Sequence, residues 1–502
     1  MTTATDLITG LLPHGIGSHT ADGVRTGSGT TVTAHDPATG AALLTWSDTG
    51  AEGAHAAVGA AAAAAPAWQG LGAFGRAAAL RALSAAVPAD ADNLARLESA
   101  TAGKPIRDTR VEVAKVAEMF AYYAGWADKT LGQTIPVPGD WLTYTRREPY
   151  GVVAAITPWN APLFTAGWNA APALAAGNTV VVKPSELTPF TTLRLARLAE
   201  EAGLPPGTLS VAAGLGGSTG RALVADERVG KVAFVGSVPA GRAVATAAAG
   251  RGAPALLELG GKSANIVFAD ADLAAAAEGA LAAIFAAAGQ SCVAGSRLLV
   301  QDEVHDEVLE RVAAGARRLR VGAPLAEDTE IGPVNNRAQY DKVRGLVAGA
   351  RDEGARLVTP ADAVPEGADP GGYWVSPTVV ADVRPGHTLE NTEVFGPVLA
   401  VSRFRDEAEA VARANGTPFG LAGAVWTRDV ARAHRMAAAV RAGTFWVNAY
   451  KAIHVAAPFG GFGDSGYGRS SGPEVLAEYT QPKAVWVHTG AEPMRFFPSL
   501  HG

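Results

Sequence analysis

The sequence predicts an α/β protein of two doubly wound α/β domains, and three observations lead there. From Gly151 onward, short apolar runs alternate with helical stretches. A second series of the same kind begins after Gly261, and 502 residues exceed what one hydrophobic core usually organises. Apolar runs separated by helices are the pattern of a mostly parallel sheet covered on both faces. The seam between the two series falls near Gly260-Gly261.

In chain order, a glycine-rich start leads to four expected helices: Ala51–Ala65, Arg76–Val87, Asp90–Thr101 and Arg110–Lys129. The alanine run Ala60–Ala65 is bounded by Pro66, which reads as a helix end. In the fourth helix Val113, Val116, Phe120 and Tyr123 recur at helical spacing and make one apolar face. A polar stretch with Pro136 and Pro138 precedes Trp141–Glu148, whose Thr, Tyr and Arg content suits an exposed strand able to pair with another element or subunit. The first series then has strands at Gly151–Ile156, Thr179–Lys183, Thr208–Ala212, Val232–Val235 and Ala255–Leu259. Helices at Ala166–Ala175, Pro189–Ala202, Gly217–Ala225 and Ala240–Gly250 separate them. The second series has strands at Ala264–Phe268, Arg297–Val300, Leu399–Arg403, Ala422–Thr427 and Thr444–Asn448. Its helices are Leu273–Ala288, His305–Arg320, Glu407–Arg413 and Ala431–Val440, and Lys483–His488 reads as a last strand.

Composition narrows the function classes. Net charge is −6 with both signs interspersed, so no basic stripe for nucleic acid is expected. No uninterrupted apolar run reaches the ~18 residues of a membrane helix. The start, Met1 to Ile8, lacks the basic and apolar regions of a signal peptide. One cysteine allows no disulfide within the chain and no multi-thiolate metal site, and no metal ligands are assigned. A cytoplasmic location is expected.

That cysteine, Cys292, sits in Gly289-Gln-Ser-Cys-Val-Ala-Gly, about one helix downstream of Glu258-Leu-Gly-Gly-Lys-Ser. It is either buried filler or a nucleophile. Polar and glycine-containing segments also fall at the carboxyl ends of predicted strands, where doubly wound sheets bind ligands. Gly236-Ser-Val-Pro-Ala-Gly241 is either a tight turn or a place where backbone N–H groups and a hydroxyl meet a phosphate at a helix start. Lys183-Pro-Ser-Glu186 is either a capped loop or a pair able to bond ribose hydroxyls. In Thr157-Pro-Trp-Asn160 the amide of Asn160 either closes a turn or donates to an oxyanion.

Together and in this order these segments resemble the aldehyde dehydrogenase superfamily, of the NAD(P)-dependent, hydrolytic, non-acylating type. The resemblance rests on Thr157-Pro-Trp-Asn, Lys183-Pro-Ser-Glu, Gly236-Ser-x-x-x-Gly, Glu258-Leu-Gly-Gly-Lys-Ser, Gly289-Gln-Ser-Cys, Glu393-Val-Phe-Gly-Pro-Val and Pro458-Phe-Gly-Gly. Tyr122-Tyr-Ala-Gly-Trp, Gly332-Pro-Val, Phe419-Gly-Leu-Ala and Ser465-Gly-Tyr-Gly-Arg agree with it, so the match runs over nearly the whole chain. It implies a Rossmann-like cofactor domain over 1–128 and 149–260, and a catalytic domain over 261–476. A small β oligomerisation element over 129–148 and 477–502 would make a homodimer or homotetramer.

The resemblance also implies roles. Cys292 is the nucleophile that forms a thiohemiacetal and then a thioester, Asn160 an oxyanion donor, and Glu258 the base that activates water. Ile156, Thr157, Trp159, Lys183, Ser185, Glu186, Gly216, Gly236, Ser237, Gly241, Leu259, Glu393 and Phe395 take the cofactor positions. A carboxylate at Glu186 accepts from a free 2′-hydroxyl and repels a 2′-phosphate, which favours NAD, while Lys183 beside it leaves NADP open. Ala161, Phe164, Trp168, Ser291, Ile453 and Phe459 line the substrate pocket, suiting an apolar aliphatic or aromatic aldehyde as the small-molecule partner. Lys115 is either a solvated lysine on a helix face or a group near the mouth, and the second reading keeps a semialdehyde dehydrogenase, acting on a carboxylate-bearing aldehyde, as an alternative. A non-catalytic structural relative is another, against which the retained Cys292, Glu258 and Asn160 speak.

The chain departs from the family pattern at four places. It has Val238-Pro239 for a usual Thr-Glu, Ala161 for an aromatic, Asn169 for a lysine and Ser470 for a glutamate. Losing both members of a charged pair leaves no stranded charge. Asn169 and Ser470 are therefore expected to form a neutral polar path, direct or water-bridged, for protons leaving Glu258.

Overall fold

The computed structural model describes residues 3–492, 494 and 497. Of the segments assigned above, residues 1–2, 493, 495–496 and 498–502 lie outside the described ones. Two short hairpins come first: β1 (Ser18–Thr20) with β2 (Gly23–Arg25), and β3 (Thr31–His35) with β4 (Ala42–Ser47). β5 (Thr134–Ile135) and β6 (Trp141–Pro149) follow the helical stretch, then β7 (Val152–Ile156), β8 (Thr179–Lys183), β9 (Leu209–Val211), β10 (Val229–Val235) and β11 (Ala255–Glu258). The second series is β12 (Ala264–Val267), β13 (Arg297–Gln301), β14 (Arg356–Leu357), β15 (Thr378–Ala381), β16 (Val398–Phe404), β17 (Ala422–Trp426) and β18 (Thr444–Val447). β19 (Gly466–Tyr467) and β20 (Thr480–His488) close the chain.

The first large sheet has the order β19-β11-β10-β7-β8-β9-β1-β2 and is parallel from β11 to β9. Its inner strands read Val-Val-Ala-Ala and Val-Val-Val and are buried throughout, as strands covered on both faces must be. The chain winds from β7 outward to β9, then returns to place β10 on the other side of β7. The topological switch point therefore lies between β7 and β10. The second sheet, β14-β15-β16-β13-β12-β17-β18, is parallel from β15 to β18. The chain leaves the carboxyl end of β11 and enters the amino end of β12 through Leu259–Ser263. The carboxyl edge of one sheet thus faces the amino edge of the other. β6 and β20 pair antiparallel from Thr480↔Pro149 to His488↔Trp141, with β5 on the far edge of β6, giving a separate three-stranded sheet.

Three expectations need correction. The helix after β4 spans Gly50–Gly70 and continues through Pro66. Trp68, fully buried and donating Nε1–H to the Leu174 carbonyl at 3.1 Å, anchors the turn beyond the proline, so tertiary contact overrides the local break. The helix expected over Leu273–Ala288 ends at Phe285, and Ala287 and Ala288 adopt left-handed φ of 55° and 52°. The chain must reverse there to carry Cys292 back to the seam, and Gly295 N–H closes the reversal on the Ala283 carbonyl. Gly217–Ala225 begins as a wide π turn over Gly216–Gly220 before becoming α-helical. Helices Ala4–Leu11 and Arg337–Asp352, and strands β1 to β4, β14, β15 and β19, were not expected from the sequence.

Candidate active site

A cavity of about 430 Å³ opens at the seam. Pro158 to Ala161, after β7, and Gly236-Ser237, after β10, line one wall on either side of the switch point. Glu258 to Gly260, ending β11, form its floor, and Ser291 to Val293, just before β13, face them. Glu393 and Phe395 close one end, and the other is closed by residues of helix Ile106–Ala124 and by Ile453, Val455 and Phe459.

The loop of Cys292 is fixed by its neighbours. Gly289 has φ of 69°, and a Cβ there would stand 2.0 Å from the Gly396 carbonyl oxygen, so only glycine fits. Gln290 accepts from Asn335 N–H at 2.9 Å through its side-chain oxygen, and its own carbonyl accepts from Asn160 Nδ2 at 2.8 Å. That second bond seats the Asn160 amide against the nucleophile loop. Burial pushes the Cys292 thiol up to about 12, with the carboxylates of Glu258 and Glu393 adding to it. Glu258 is itself pushed up to about 8 by burial, against the lowering effects of a Ser470 hydrogen bond and the Arg469 charge. Its Oε1 accepts from Ser470 at 2.8 Å, while Oε2 is buried with no protein partner.

Of the cofactor positions, Trp159, Gly236, Ser237, Leu259, Glu393 and Phe395 line the cavity; Ile156, Thr157, Lys183, Ser185, Glu186, Gly216 and Gly241 do not. Lys183, at the end of β8, is buried and pairs with Glu186 at 3.5 Å. Burial lowers its pKa, with Glu186 opposing. Gly241 packs inside helix Val238–Ala249, where a Cβ would meet Leu259 Cδ2 at 2.4 Å. Glu393 accepts from Gly261 N–H at 2.9 Å and burial raises its pKa. Phe395 sits at φ 57°, edge-on to Trp159 at 5.3 Å. Gln339 holds that strained turn by donating to the Val394 and Phe395 carbonyls at 2.8 and 2.9 Å.

Sequence reasoning missed Gln339 and Lys342, which line the cavity three residues apart on helix Arg337–Asp352. Their spacing on one helix face was the available signal. It also missed Asp48, which takes Leu215 N–H at 2.9 Å and Thr219 Oγ1 at 2.7 Å and bonds Ser218, shaping the turn around Gly216. Nothing local marks that aspartate.

Ala161, Phe164, Trp168, Ser291, Ile453 and Phe459 all line the cavity. Phe164 stacks on Trp168 at 5.3 Å, and Phe459 meets Trp168 edge-on at 5.9 Å. Lys115, Glu118 and Glu112 stand at the same end. Lys115 is paired with Glu118 at 2.7 Å, and His454 reaches the same carboxylate at 2.7 Å. Of the polar path expected through Asn169 and Ser470, the Ser470–Glu258 bond is formed, while among the described residues no direct hydrogen bond joins Asn169 to either. Asn169 gives its amide to the Thr165 carbonyl at 2.8 Å and takes the Tyr479 hydroxyl at 3.4 Å, because the helix turn above it offers the nearer acceptor. Ser470 is bonded to Trp168 and to Glu258 and not to Asn169.

The model of the aldehyde dehydrogenase family matches residues 24–485. A betaine aldehyde dehydrogenase of Cereibacter sphaeroides is 47% identical over 400 residues, covering 80% of this chain and 82% of that protein. The (Z)-2-((N-methylformamido)methylene)-5-hydroxybutyrolactone dehydrogenase of Acinetobacter baylyi is 44% identical over 410 residues, with 80% and 82% covered. Among solved structures, PnpE from Pseudomonas sp. WBC-3, crystallised in complex with nicotinamide adenine dinucleotide, superposes with a TM-score of 0.93 at 41% identity. That likeness covers 96% of this chain and 99% of PnpE. With the thiol, the amide and the carboxylate gathered at one seam, this chain belongs to the aldehyde dehydrogenase family.

Proposed function

We propose that this enzyme oxidises an aldehyde to its carboxylic acid with NAD, through Cys292, Asn160 and Glu258. One observation carries the assignment of roles: the only thiol, an amide fixed on its loop and a buried carboxylate line a single cavity. A thiol held near 12 needs a base, and a carboxylate held near 8 is strong enough to serve when ionised. Glu258 takes the proton of Cys292, whose thiolate attacks the aldehyde carbonyl. Asn160 Nδ2 and the Cys292 backbone N–H receive the oxyanion. NAD, held at the Glu393 and Phe395 end of the cavity, would supply the hydride acceptor that lets the adduct on Cys292 become a thioester. Glu258 gives the first proton up to solvent and, ionised again, takes a proton from the water that attacks the thioester; the acid is released as the Cys292 sulfur leaves.

The residues present fit a dinucleotide. Helix Val238–Ala249 starts at Ser237 with no side-chain cap, leaving its first N–H groups for a pyrophosphate. The Lys183–Glu186 pair at the end of β8 supports a grip on ribose hydroxyls, and Glu393 and Phe395, lining the cavity with Gln339 and Lys342, support a seat for the nicotinamide end. Glu186 supports NAD over NADP.

The aromatic end of the cavity supports an apolar aliphatic or aromatic aldehyde. The semialdehyde alternative loses its support, because Lys115 is already neutralised by Glu118. The two large sheets support a cofactor domain over 1–128 and 149–260 and a catalytic domain over 261–476, although β19, within the second span, pairs with β11 of the first sheet. A homodimer or homotetramer is supported by Leu142, Trp486 and Val487, which lie exposed on the three-stranded sheet. The lone cysteine supports a cytoplasmic location; among the described residues no helix is long and apolar enough to cross a membrane.

A panel of aldehydes with NAD and with NADP, followed by absorbance of the reduced nicotinamide, tests substrate and cofactor together. Glu258→Gln should give one burst of reduced cofactor, slowed because Cys292 has lost its base, and then stall, and Cys292→Ala should give none. Sustained turnover in the glutamine variant would assign deacylation to another group.

A further inference from the structure

Behind Glu258 lies a hydrogen-bond chain whose direction is fixed by chemistry. Trp168 Nε1 stands 2.8 Å from Ser470 Oγ, and Ser470 Oγ stands 2.8 Å from Glu258 Oε1. All three side chains are buried, Ser470 to within 1% exposure. An indole nitrogen only donates, so the Ser470 oxygen is the acceptor from Trp168. The single Ser470 proton then has two acceptors: the carboxylate at 2.8 Å and the Phe459 carbonyl at 3.4 Å. The shorter, charge-assisted bond prevails. The chain therefore runs Trp168 to Ser470 to Glu258.

This geometry does not suit a proton exit. A proton passed from Glu258 to Ser470 would have only the Phe459 carbonyl beyond it, and a backbone carbonyl does not carry it onward. It suits a clamp. One carboxylate oxygen is held, while the other, Oε2, is buried without a protein partner. The indole that anchors the clamp is also the wall of the cavity, stacked on Phe164 and edge-on to Phe459.

We propose that Ser470, oriented by Trp168, is a positioning residue that clamps Oε1 of Glu258 as an acceptor and leaves Oε2 for the attacking water. The inference rests on the reading of Glu258 as the deacylating base. Other groups acting on that carboxylate are Arg469, from the same segment as Ser470, which lowers its pKa, and Cys292 and Tyr479, each of whose pKa its charge raises. Ser470 lowers it as well, so removing the hydroxyl alone moves it upward.

The test is the pH dependence of acyl-enzyme breakdown, measured by rapid quench after one turnover. In Ser470→Ala the amplitude of the acylation burst should stay at one equivalent, while the rising limb of deacylation moves up by about one pH unit, near a tenfold loss at neutral pH. Ser470→Thr should restore the limb. Trp168→Phe, which keeps a ring and loses the N–H, should move it part of the way and add nothing when combined with Ser470→Ala. An unmoved limb in Ser470→Ala, or a loss equal at every pH that threonine does not rescue, overturns the proposal. Sustained turnover in Glu258→Gln overturns the reading of Glu258 itself, a result distinct from an unmoved limb.

Discussion

Replacing Glu258 by glutamine should make the protein less active and, in alkaline solution, more stable. Burial holds the carboxyl at about 8 in the folded chain against an ordinary 4.5. The native state thus binds this proton more tightly than the unfolded chain does. Its contribution to stability is complete below about pH 4.5 and is lost as pH rises through about 8. Across that interval of 3.5 pH units, at about 1.36 kcal/mol each, the loss is roughly 5 kcal/mol. Glutamine keeps an acceptor for Ser470 and carries no charge to desolvate, so its stability should not fall in this way. Urea unfolding of both proteins at about pH 5, 6.5 and 8, followed by tryptophan fluorescence, reads the difference. The gap should widen in favour of the variant by about 1.4 kcal/mol per pH unit. Parallel curves would refute the argument, since they would mean that Glu258 titrates alike in the folded and unfolded chains.

Asn160→Ala should slow acylation by about 10²–10³-fold, because the donor held against the nucleophile loop is lost, while alkylation of Cys292 by iodoacetamide persists. A loss of less than about tenfold in the burst rate would place the oxyanion elsewhere. Gly289→Ala combines a left-handed backbone with a Cβ at 2.0 Å from the Gly396 carbonyl, and should cost about 2 kcal/mol or more. A thermal midpoint unchanged from that of the parent would show that the loop rearranges freely.

Much of the fold was legible because buried parallel strands announce themselves. The strand Thr179–Lys183 matched its predicted bounds, and the buried runs around it were displaced by only a few residues. The helices before Gly151 were found by period, but their ends were not: Pro66 did not stop a helix whose next turn is anchored by Trp68. The first fifty residues and helix Arg337–Asp352 were missed because their glycine and polar content hides short strands and a half-exposed helix. In the site, the short motifs located Cys292, Glu258 and Asn160. Asp48 and Gln339 carried no local signature, since each acts by closing a turn distant in sequence.

What the sequence determined by itself was the class of fold and the identity of the reacting groups, because periodicity and motif spacing are local properties of the chain. Tertiary structure alone decided which groups meet. It bonded Ser470 to Trp168 and Glu258, and gave Asn169 to Thr165 and Tyr479. It also decided how strongly each acid holds its proton, since burial between two sheets sets the cost of charge on Cys292 and Glu258, and no spacing in the sequence records that burial.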